Sequence, residues 1–137
     1  MGRSVRDWID LLEEADELKR VDAEVHWDQE MSAITYTAHR DPEAPALLFE
    51  NVTGYPDRTV LFNMFSGSSR RLALLMNEDL DASLTDLIEA ARTRFENAID
   101  PEFVDADRAP IFENTVEGDD IDLTEFPAPK MWPEDGG

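Results

Sequence analysis

One loop of the sequence carries the residue types of an anion-binding site. Residues 66–69 read Ser-Gly-Ser-Ser, and Arg70 and Arg71 follow directly. We expect this loop to open a helix from about Arg70 to Met76, where free backbone amides and the helix dipole can hold a phosphate. The loop lacks the spacing and lysine of a P-loop and the three glycines of a dinucleotide-binding motif. An ordinary N-cap followed by solvated arginines is therefore the simpler interpretation.

Two other groups of side chains are candidates for metal binding or catalysis. His26 and His39 are the two histidines, and neither stands in a metal-binding spacing or beside an evident nucleophile. We expect both at the surface or at a helix end. An acidic cluster is formed by Glu117, Asp119, Asp120 and Asp122. It could attract calcium, because carboxylate oxygens are the ligands that calcium prefers. This cluster lacks the sixth-position glycine and terminal glutamate of an EF-hand, which favours a solvated acidic turn.

The overall composition excludes several classes of partner. The chain has 137 residues, 42% hydrophobic residues and a formal net charge of -20, which is typical of one acidic folded domain. Because nucleic acids and anionic membranes attract Lys and Arg, both are disfavoured as partners. The sequence contains no cysteine, no apolar run of membrane-spanning length and no signal peptide at its start. We therefore expect a cytoplasmic protein, and the acidic surface fits either salt adaptation or a biased genomic composition.

Hydrophobic periodicity predicts the elements that position these side chains. Helices that alternate with strands indicate an α/β (α+β) fold, with a small mixed sheet and flanking helices. The predicted elements are a helix from a Ser4 cap to about Ala15, a strand over 20–25, a helix from an Asp28 cap to Asp41, strands over 46–49 and 59–65, a helix over 70–76, and a helix from a Ser83 cap to Asp100.

The last of these helices and the residues after it predict a second unit. Leu84, Leu87, Ile88, Ala91 and Phe95 form one apolar stripe on the helix. The polar stretch 101–110 is the best internal boundary, so residues 1–110 form a domain and residues 111–137 begin, or link into, another. We expect a strand over 111–116, a turn at 118–119, a short helical turn over 122–127 and then an extended segment.

Trp132, which lies in this second unit, differs from the tryptophans of the first unit. It has no periodic partner among its neighbours. It either folds back on this domain or anchors a neighbouring one.

Four segments, taken in order, resemble the N-terminal region of the UbiD family of reversible decarboxylases. Together the four segments cover nearly the whole chain, and they follow the family's order and spacing. The second and fourth segments are fairly specific to the family. A departure at Ala15 and Asp16, where the family commonly has a glycine before the acid, concerns only the shape of that turn. The segments are residues 6–9 with 12–13 and 17–21; residues 45–52 with 54–55; Asn63, Phe65 and Ser66 with Arg70, Arg71 and Ala73; and Glu117, Gly118, Asp122, Leu123, Pro127, Pro129, Trp132, Asp135, Gly136 and Gly137.

The resemblance implies a function and a cofactor. UbiD-like enzymes use prenylated FMN, with a divalent metal (Mn or Mg) and K, to decarboxylate or carboxylate aromatic or α,β-unsaturated acids. Their flavin, metals and glutamate-arginine-glutamate set lie in a split-barrel domain that follows the segment corresponding to residues 132–137. We therefore assign no catalytic, cofactor-binding or metal-binding residue to this chain. The interface with that domain is expected at Pro127, Pro129, Trp132, Asp135, Gly136 and Gly137.

The expected role is therefore that of an N-terminal domain or small subunit of a UbiD-like decarboxylase or carboxylase, inactive and without cofactor when alone. Its partner would be the catalytic flavin-binding chain or domain, within a larger oligomer. Two alternatives stay open. One is an accessory or regulatory protein that binds a complete UbiD-like enzyme through Trp132 and the proline segment. The other is a free-standing anion or nucleotide binder that uses residues 66–71.

Overall fold

The computed structural model describes residues 4–65 and 67–135, so Ser66, Gly136 and Gly137 lie outside the described residues. Within these ranges the chain forms helices and strands in mixed order, followed by short 3-10 turns. The α-helices and strands are α1 (Val5–Glu14), β1 (Leu18–Val21), α2 (Glu30–Ala38), β2 (Ala46–Phe49), β3 (Val60–Phe62), α3 (Ser69–Met76) and α4 (Leu84–Glu96). The 3-10 turns are Ala106–Arg108, Pro110–Phe112, Gly118–Asp120 and Leu123–Glu125.

The sheet is small and mixed, in the order β1-β2-β3. β1 pairs with β2 in parallel, and β2 pairs with β3 in antiparallel orientation. All four residues of β2 are buried, as expected for a continuous Ala-Leu-Leu-Phe run in a central strand. The predicted fold class, a small mixed sheet with flanking helices, is confirmed.

The hydrophobic core consists of two clusters that β2 joins. One cluster contains Leu47 and Phe49 together with Met31 of α2. The other contains Ala46 and packs against Trp8 and Leu12 of α1. Helix α2 therefore packs against the sheet through the first cluster, and α1 packs against it through the second.

The N-termini of α1 and α4 form as predicted. Ser4 and Asp7 make a complete capping box, and so do Ser83 and Asp86. In each box the serine hydroxyl accepts from the backbone of the acid, and the acid accepts from the backbone N–H of the serine. No helix in the described residues is long and apolar enough to cross a membrane.

The strand predicted over 20–25 was placed too late. β1 covers Leu18–Val21, because its register against β2 ends at Val21 opposite Phe49. The alternating apolar and polar residues after Val21 suggested a longer strand. Within the described residues they form only an isolated bridge, between Val25 and Val52.

The predicted start and end of α2 were also wrong. Gln29 is the N-cap, with a left-handed φ of 64°, and the carboxylate of Asp28 instead accepts a hydrogen bond from the Gln29 side chain. The helix ends at Ala38, ahead of the predicted stop at Asp41. His39 is the C-cap, and its backbone N–H donates to the carbonyl of Thr35.

Three further boundaries differ from the prediction. β3 stops at Phe62 because Asn63 takes a positive φ of 56°. α4 ends at Glu96, where Asn97 becomes the C-cap and its side chain donates to the carbonyl of Thr93. The strand predicted over 111–116 is absent from these described residues, and its start lies instead in the 3-10 turn Pro110–Phe112.

The apolar stripe of α4 is only partly buried. Leu87 is 1% exposed, whereas Leu84, Ile88 and Phe95 are 60%, 61% and 84% exposed. Leu87 therefore packs against this domain, but most of the predicted stripe does not. We call the three exposed side chains the α4 apolar face.

Candidate interface and cavity between α2 and the C-terminal segment

Residues 122–135, which we call the C-terminal segment, fold back onto the start of α2. The backbone N–H of Lys130 donates to the carbonyl of Trp27 at 3.0 Å. In return the Lys130 carbonyl accepts from the backbone N–H of Gln29 at 3.1 Å and from the hydroxyl of Ser32 at 2.8 Å. The first turn of α2 therefore has a backbone partner that comes from the far end of the chain.

A second attachment holds the beginning of the C-terminal segment. The guanidinium of Arg58 lies 4.9 Å from the ring centroid of Phe126, and its Nε donates to the carbonyl of Glu125 at 3.3 Å. Next to it, the carboxylate of Asp122 accepts from the backbone N–H and hydroxyl of Thr124 at 2.8 and 2.6 Å. These hydrogen bonds hold the pKa of Asp122 below its ordinary value. The predicted helical turn after Asp122 is confirmed as Leu123–Glu125.

A tight turn presents Trp132 at the end of the segment. The backbone N–H of Met131 donates to the carboxylate of Asp135 at 3.0 Å, and the N–H of Asp135 donates to the carbonyl of Trp132 at 3.0 Å. The ring of Trp132 meets that of Tyr36 edge-on, with centroids 6.2 Å apart. Trp132 nevertheless stays 62% exposed. It folds back on its own domain and still offers most of its surface for another contact.

The other residues predicted at the interface lie along the same segment. Pro127, Pro129 and Asp135 are half-buried, while Gly136 and Gly137 fall outside the described residues. Of the described residues of this set, Trp132 contacts α2 directly, through Tyr36.

Between α2 and the C-terminal segment lies a cavity of about 450 Å³, which we call the α2 cavity. Its described lining residues include no Lys, Arg, Asp or Glu. In its wall, Nδ1 of His39 donates to the carbonyl of Thr35 at 3.0 Å, while Nε2 of His39 and the Thr35 hydroxyl are buried and have no hydrogen-bond partner among the residues that the structure describes. The lining residues are Gln29, Ser32, Ala33, Thr35, Tyr36, His39, Asn63, Met131, Trp132 and Pro133.

The candidate anion-binding loop is an N-cap whose arginines face inward. The Ser68 hydroxyl accepts from the backbone N–H groups of Arg70 and Arg71 at 3.1 and 3.4 Å, so the N-cap interpretation is confirmed. The prediction that both arginines are solvated was wrong. Arg71 is 0% exposed and donates to Glu17 at 2.8 Å and to the carbonyl of Ala44 at 3.0 Å. Arg70 donates to the other oxygen of Glu17 at 2.8 Å.

Glu17 is the residue of this network that sequence reasoning missed. It is 6% exposed, and nothing in its sequence neighbourhood distinguishes it from the many solvated acids of this chain. Burial lowers the pKa of Arg71, and the Glu17 carboxylate opposes that shift. Because both guanidiniums contact Glu17, the described part of the loop does not offer them to a phosphate.

The remaining sequence candidates do not converge on a site. His26 is exposed, and its Nδ1 accepts from the backbone N–H of Asp28 at 3.0 Å, as a surface histidine would. Throughout residues 4–65 and 67–135, no three His, Asp or Glu side chains are grouped so that they could hold a metal ion. This includes the acidic cluster, so the calcium interpretation is not supported.

Comparison with known proteins identifies the family. The sequence-family model of the 3-octaprenyl-4-hydroxybenzoate carboxy-lyase N-terminal domain matches residues 9–91. The model of the Rift-related domain of the same carboxy-lyase matches residues 102–137. The chain belongs to the UbiD family. The resemblance read from the four sequence segments is thereby confirmed.

Solved UbiD-class structures share the fold. The vanillic acid decarboxylase of Sedimentibacter hydroxybenzoicus, in open form, is 28% identical over 100% of this chain, with a TM-score of 0.88. An evolved dimeric form of HmfF from Pelotomaculum thermopropionicum, in complex with prFMN, is 30% identical over 94% of this chain, with a TM-score of 0.76. The apo 3,4-dihydroxybenzoic acid decarboxylase of Enterobacter cloacae is 27% identical over 94%, with a TM-score of 0.75. This UbiD-family chain spans only 29%, 28% and 28% of those three chains.

The described lining of the α2 cavity does not fit the phosphate of prenylated FMN. A flavin mononucleotide needs cationic or N–H partners for its phosphate, but the described lining of the α2 cavity contains no Lys or Arg. The neighbouring Lys130 ammonium lies 3.9 Å from the Asp28 carboxylate, and Arg70 and Arg71 face Glu17. We therefore derive no catalytic step from these residues.

Proposed function

We propose that this UbiD-family chain is the N-terminal domain or small subunit of a decarboxylase or carboxylase for aromatic or α,β-unsaturated acids. Its role is structural, since it braces the flavin-binding polypeptide and borders one side of the substrate entrance. Two facts support this role. The chain corresponds to 29% of the length of the vanillic acid decarboxylase chain, and the described lining of the α2 cavity contains no Lys or Arg for a flavin phosphate.

The observation that carries the proposal is the α4 apolar face. Leu84, Ile88 and Phe95 repeat at helical spacing and are 60%, 61% and 84% exposed. An isolated exposed leucine is ordinary, but an aligned stripe of large apolar side chains on a helix is a surface that packs against another polypeptide. The chain as a whole has a net charge of -20, so we expect the partner to offer an apolar surface and to be less acidic than this chain.

A second set of exposed apolar side chains lies in the part of the chain that follows α4. Ile111, Phe112 and Leu123 are 80%, 59% and 78% exposed, and they belong to the part of the chain that matches the Rift-related domain. A folded unit that leaves such side chains in water lacks the partner that would cover them. In our proposal, residues 1–110 are the N-terminal α/β domain and residues 111–137 begin, or lead into, the flavin-binding domain.

In the proposed complex the chemistry belongs to the partner. Prenylated FMN, with a divalent metal (Mn or Mg) and K, would be bound by the flavin-binding polypeptide and would supply the electron sink for loss of carbon dioxide. The HmfF neighbour is in complex with prFMN, and the vanillic acid decarboxylase is an assembly, VdcCD. Both observations support a flavin-dependent, multi-subunit enzyme for this chain.

Co-expression tests the proposal. The chain, tagged for purification, is produced together with its neighbouring reading frames in cells that supply prenylated FMN. We expect a flavin-containing polypeptide to purify with it and the complex to decarboxylate an aromatic acid. Co-purification of an enzyme that is fully active without this chain would instead favour the accessory protein.

A matched pair of variants tests the docking surface in the same experiment. Replacing both Ile88 and Phe95 with serine should weaken co-purification, because it removes the apolar surface that the partner would cover. Thr85→Ser, at another exposed position of α4, should not.

A further inference from the structure

The α2 cavity has the size and the lining of a small-molecule site. Its volume of about 450 Å³ falls within the range of ligand pockets, roughly 300–1,000 Å³. It lies between α2 and the C-terminal segment, at the junction of the two family matches. Pockets at such junctions are common positions for ligands.

Several polar groups of the lining are engaged by the protein itself, whereas Nε2 of His39 and the Thr35 hydroxyl have no hydrogen-bond partner among the described residues. The Ser32 hydroxyl donates to the Lys130 carbonyl at 2.8 Å, and the side-chain amide of Gln29 donates to Asp28 at 3.1 Å. Nδ1 of His39 donates to the carbonyl of Thr35 at 3.0 Å. The surface that remains for an occupant is therefore mainly apolar.

Two aromatic rings stand at the mouth of the cavity. Tyr36 and Trp132 meet edge-on with centroids 6.2 Å apart, and they are 67% and 62% exposed. An edge-on pair presents one ring face and one ring edge, which are the surfaces that a third aromatic ring packs against. Met131 and Pro133 continue this lining on the side of the C-terminal segment.

The charge of the site selects against an anion. The described lining residues include no Lys or Arg, and the whole chain has a net charge of -20. A carboxylate placed in the cavity would lose water without gaining a cationic partner, which is unfavourable. An uncharged ring loses no such hydration.

We propose that the α2 cavity binds an uncharged aromatic small molecule. This inference does not depend on the proposed enzymatic function, since it rests only on the cavity, the ring pair and the absence of a cation from the described lining.

The test is a titration of the purified chain with indole and with indole carboxylate, followed by calorimetry and by backbone amide chemical shifts. We expect indole to bind at least about tenfold more tightly than the carboxylate, because the anion has no partner in the cavity. The shift changes should centre on α2 and on residues 130–133. Equal affinity for the two compounds, or shift changes centred elsewhere, would overturn the proposal.

A matched pair of variants locates the site. Ala33 lines the cavity from α2, and Ala33→Leu would fill part of it. Thr37 is an exposed α2 residue outside the lining, and Thr37→Leu adds similar apolar bulk there. Indole affinity should fall at least about fivefold in the first variant and stay unchanged in the second. An unchanged affinity in Ala33→Leu would contradict the assignment.

The same titration on the co-purified complex separates this inference from the proposed function. Binding of indole to the complex supports a small-molecule site. Loss of binding in the complex would show that a side chain of the partner fills the cavity and would overturn the inference, while the proposed subunit role would stand.

Discussion

The hydroxyl of Ser32 donates a 2.8 Å hydrogen bond to the carbonyl of Lys130, a residue 98 positions further along the chain. The same carbonyl accepts from the backbone N–H of Gln29 at 3.1 Å. This contact joins the region of the N-terminal-domain match to the region of the Rift-related match. It holds Trp132 beside α2, where the cavity and the predicted interface meet.

Ser32→Ala should loosen this attachment. We expect a loss of about 1 kcal/mol in the free energy of unfolding, since one partly buried hydrogen bond is removed while Lys130 keeps its backbone donor. Amide exchange at Lys130 should become faster. Thr37→Ala, an exposed change on the same helix, should stay within about 0.5 kcal/mol of the parent. Equal effects of the two substitutions on Lys130 exchange would contradict the role given to Ser32.

Glu17→Gln should be the most destabilising of the substitutions considered. The Glu17 and Arg71 side chains are 7% and 0% exposed, and removal of one charge leaves a buried guanidinium without its counter-ion. We expect a loss of roughly 3–5 kcal/mol, measured by urea unfolding. As a control, Glu13→Gln breaks an ion pair with Arg20 at the surface and should cost far less. A loss below about 1 kcal/mol in Glu17→Gln would show that the buried pair does not stabilise the fold.

Gly67→Ala should destabilise the protein more than Gly54→Ala. Both glycines have a positive φ, 90° and 83°, so both substitutions introduce backbone strain. A Cβ at Gly67 would also lie 2.8 Å from Nη2 of Arg71, whereas a Cβ at Gly54 would meet no atom within 4 Å. The difference in the free energy of unfolding should exceed roughly 1 kcal/mol. Similar losses for both variants would mean that Arg71 moves aside without cost.

Stability should fall in acid partly through Glu13. Hydrogen bonding to Arg20 holds the pKa of Glu13 below its ordinary value of 4.5. A carboxyl whose pKa is lowered by folding stabilises the folded state above its ordinary pKa, and that contribution disappears as the pH falls through the lowered value. Urea midpoints measured from about pH 6 to about pH 3 should therefore decline less steeply for Glu13→Gln than for the parent. Parallel curves would contradict this assignment.

Local signals in the sequence predicted the local parts of the fold. The capping boxes at Ser4 and Ser83 involve residues three positions apart, and the apolar run of β2 identifies a central strand on its own. The α4 stripe was also recognised, but periodicity shows only that a helix face packs against something. It does not show whether the partner lies within the same domain.

The long-range contacts could not be predicted in this way. Glu17 pairs with Arg71 across 54 positions, and Ser32 reaches Lys130 across 98. Each of these residues looks like an ordinary surface residue within its own segment, because burial of a polar side chain is decided by the tertiary fold. The resemblance of four segments identified the family, which periodicity could not do.

We propose that this UbiD-family chain supports a flavin-binding partner and does not hold the flavin itself. The most direct measurement is the absorbance spectrum of the chain purified alone and with its co-expressed partner, from cells that supply prenylated FMN. We expect flavin absorbance and release of carbon dioxide from an aromatic acid only in the complex. Stoichiometric flavin bound to this chain alone would contradict it.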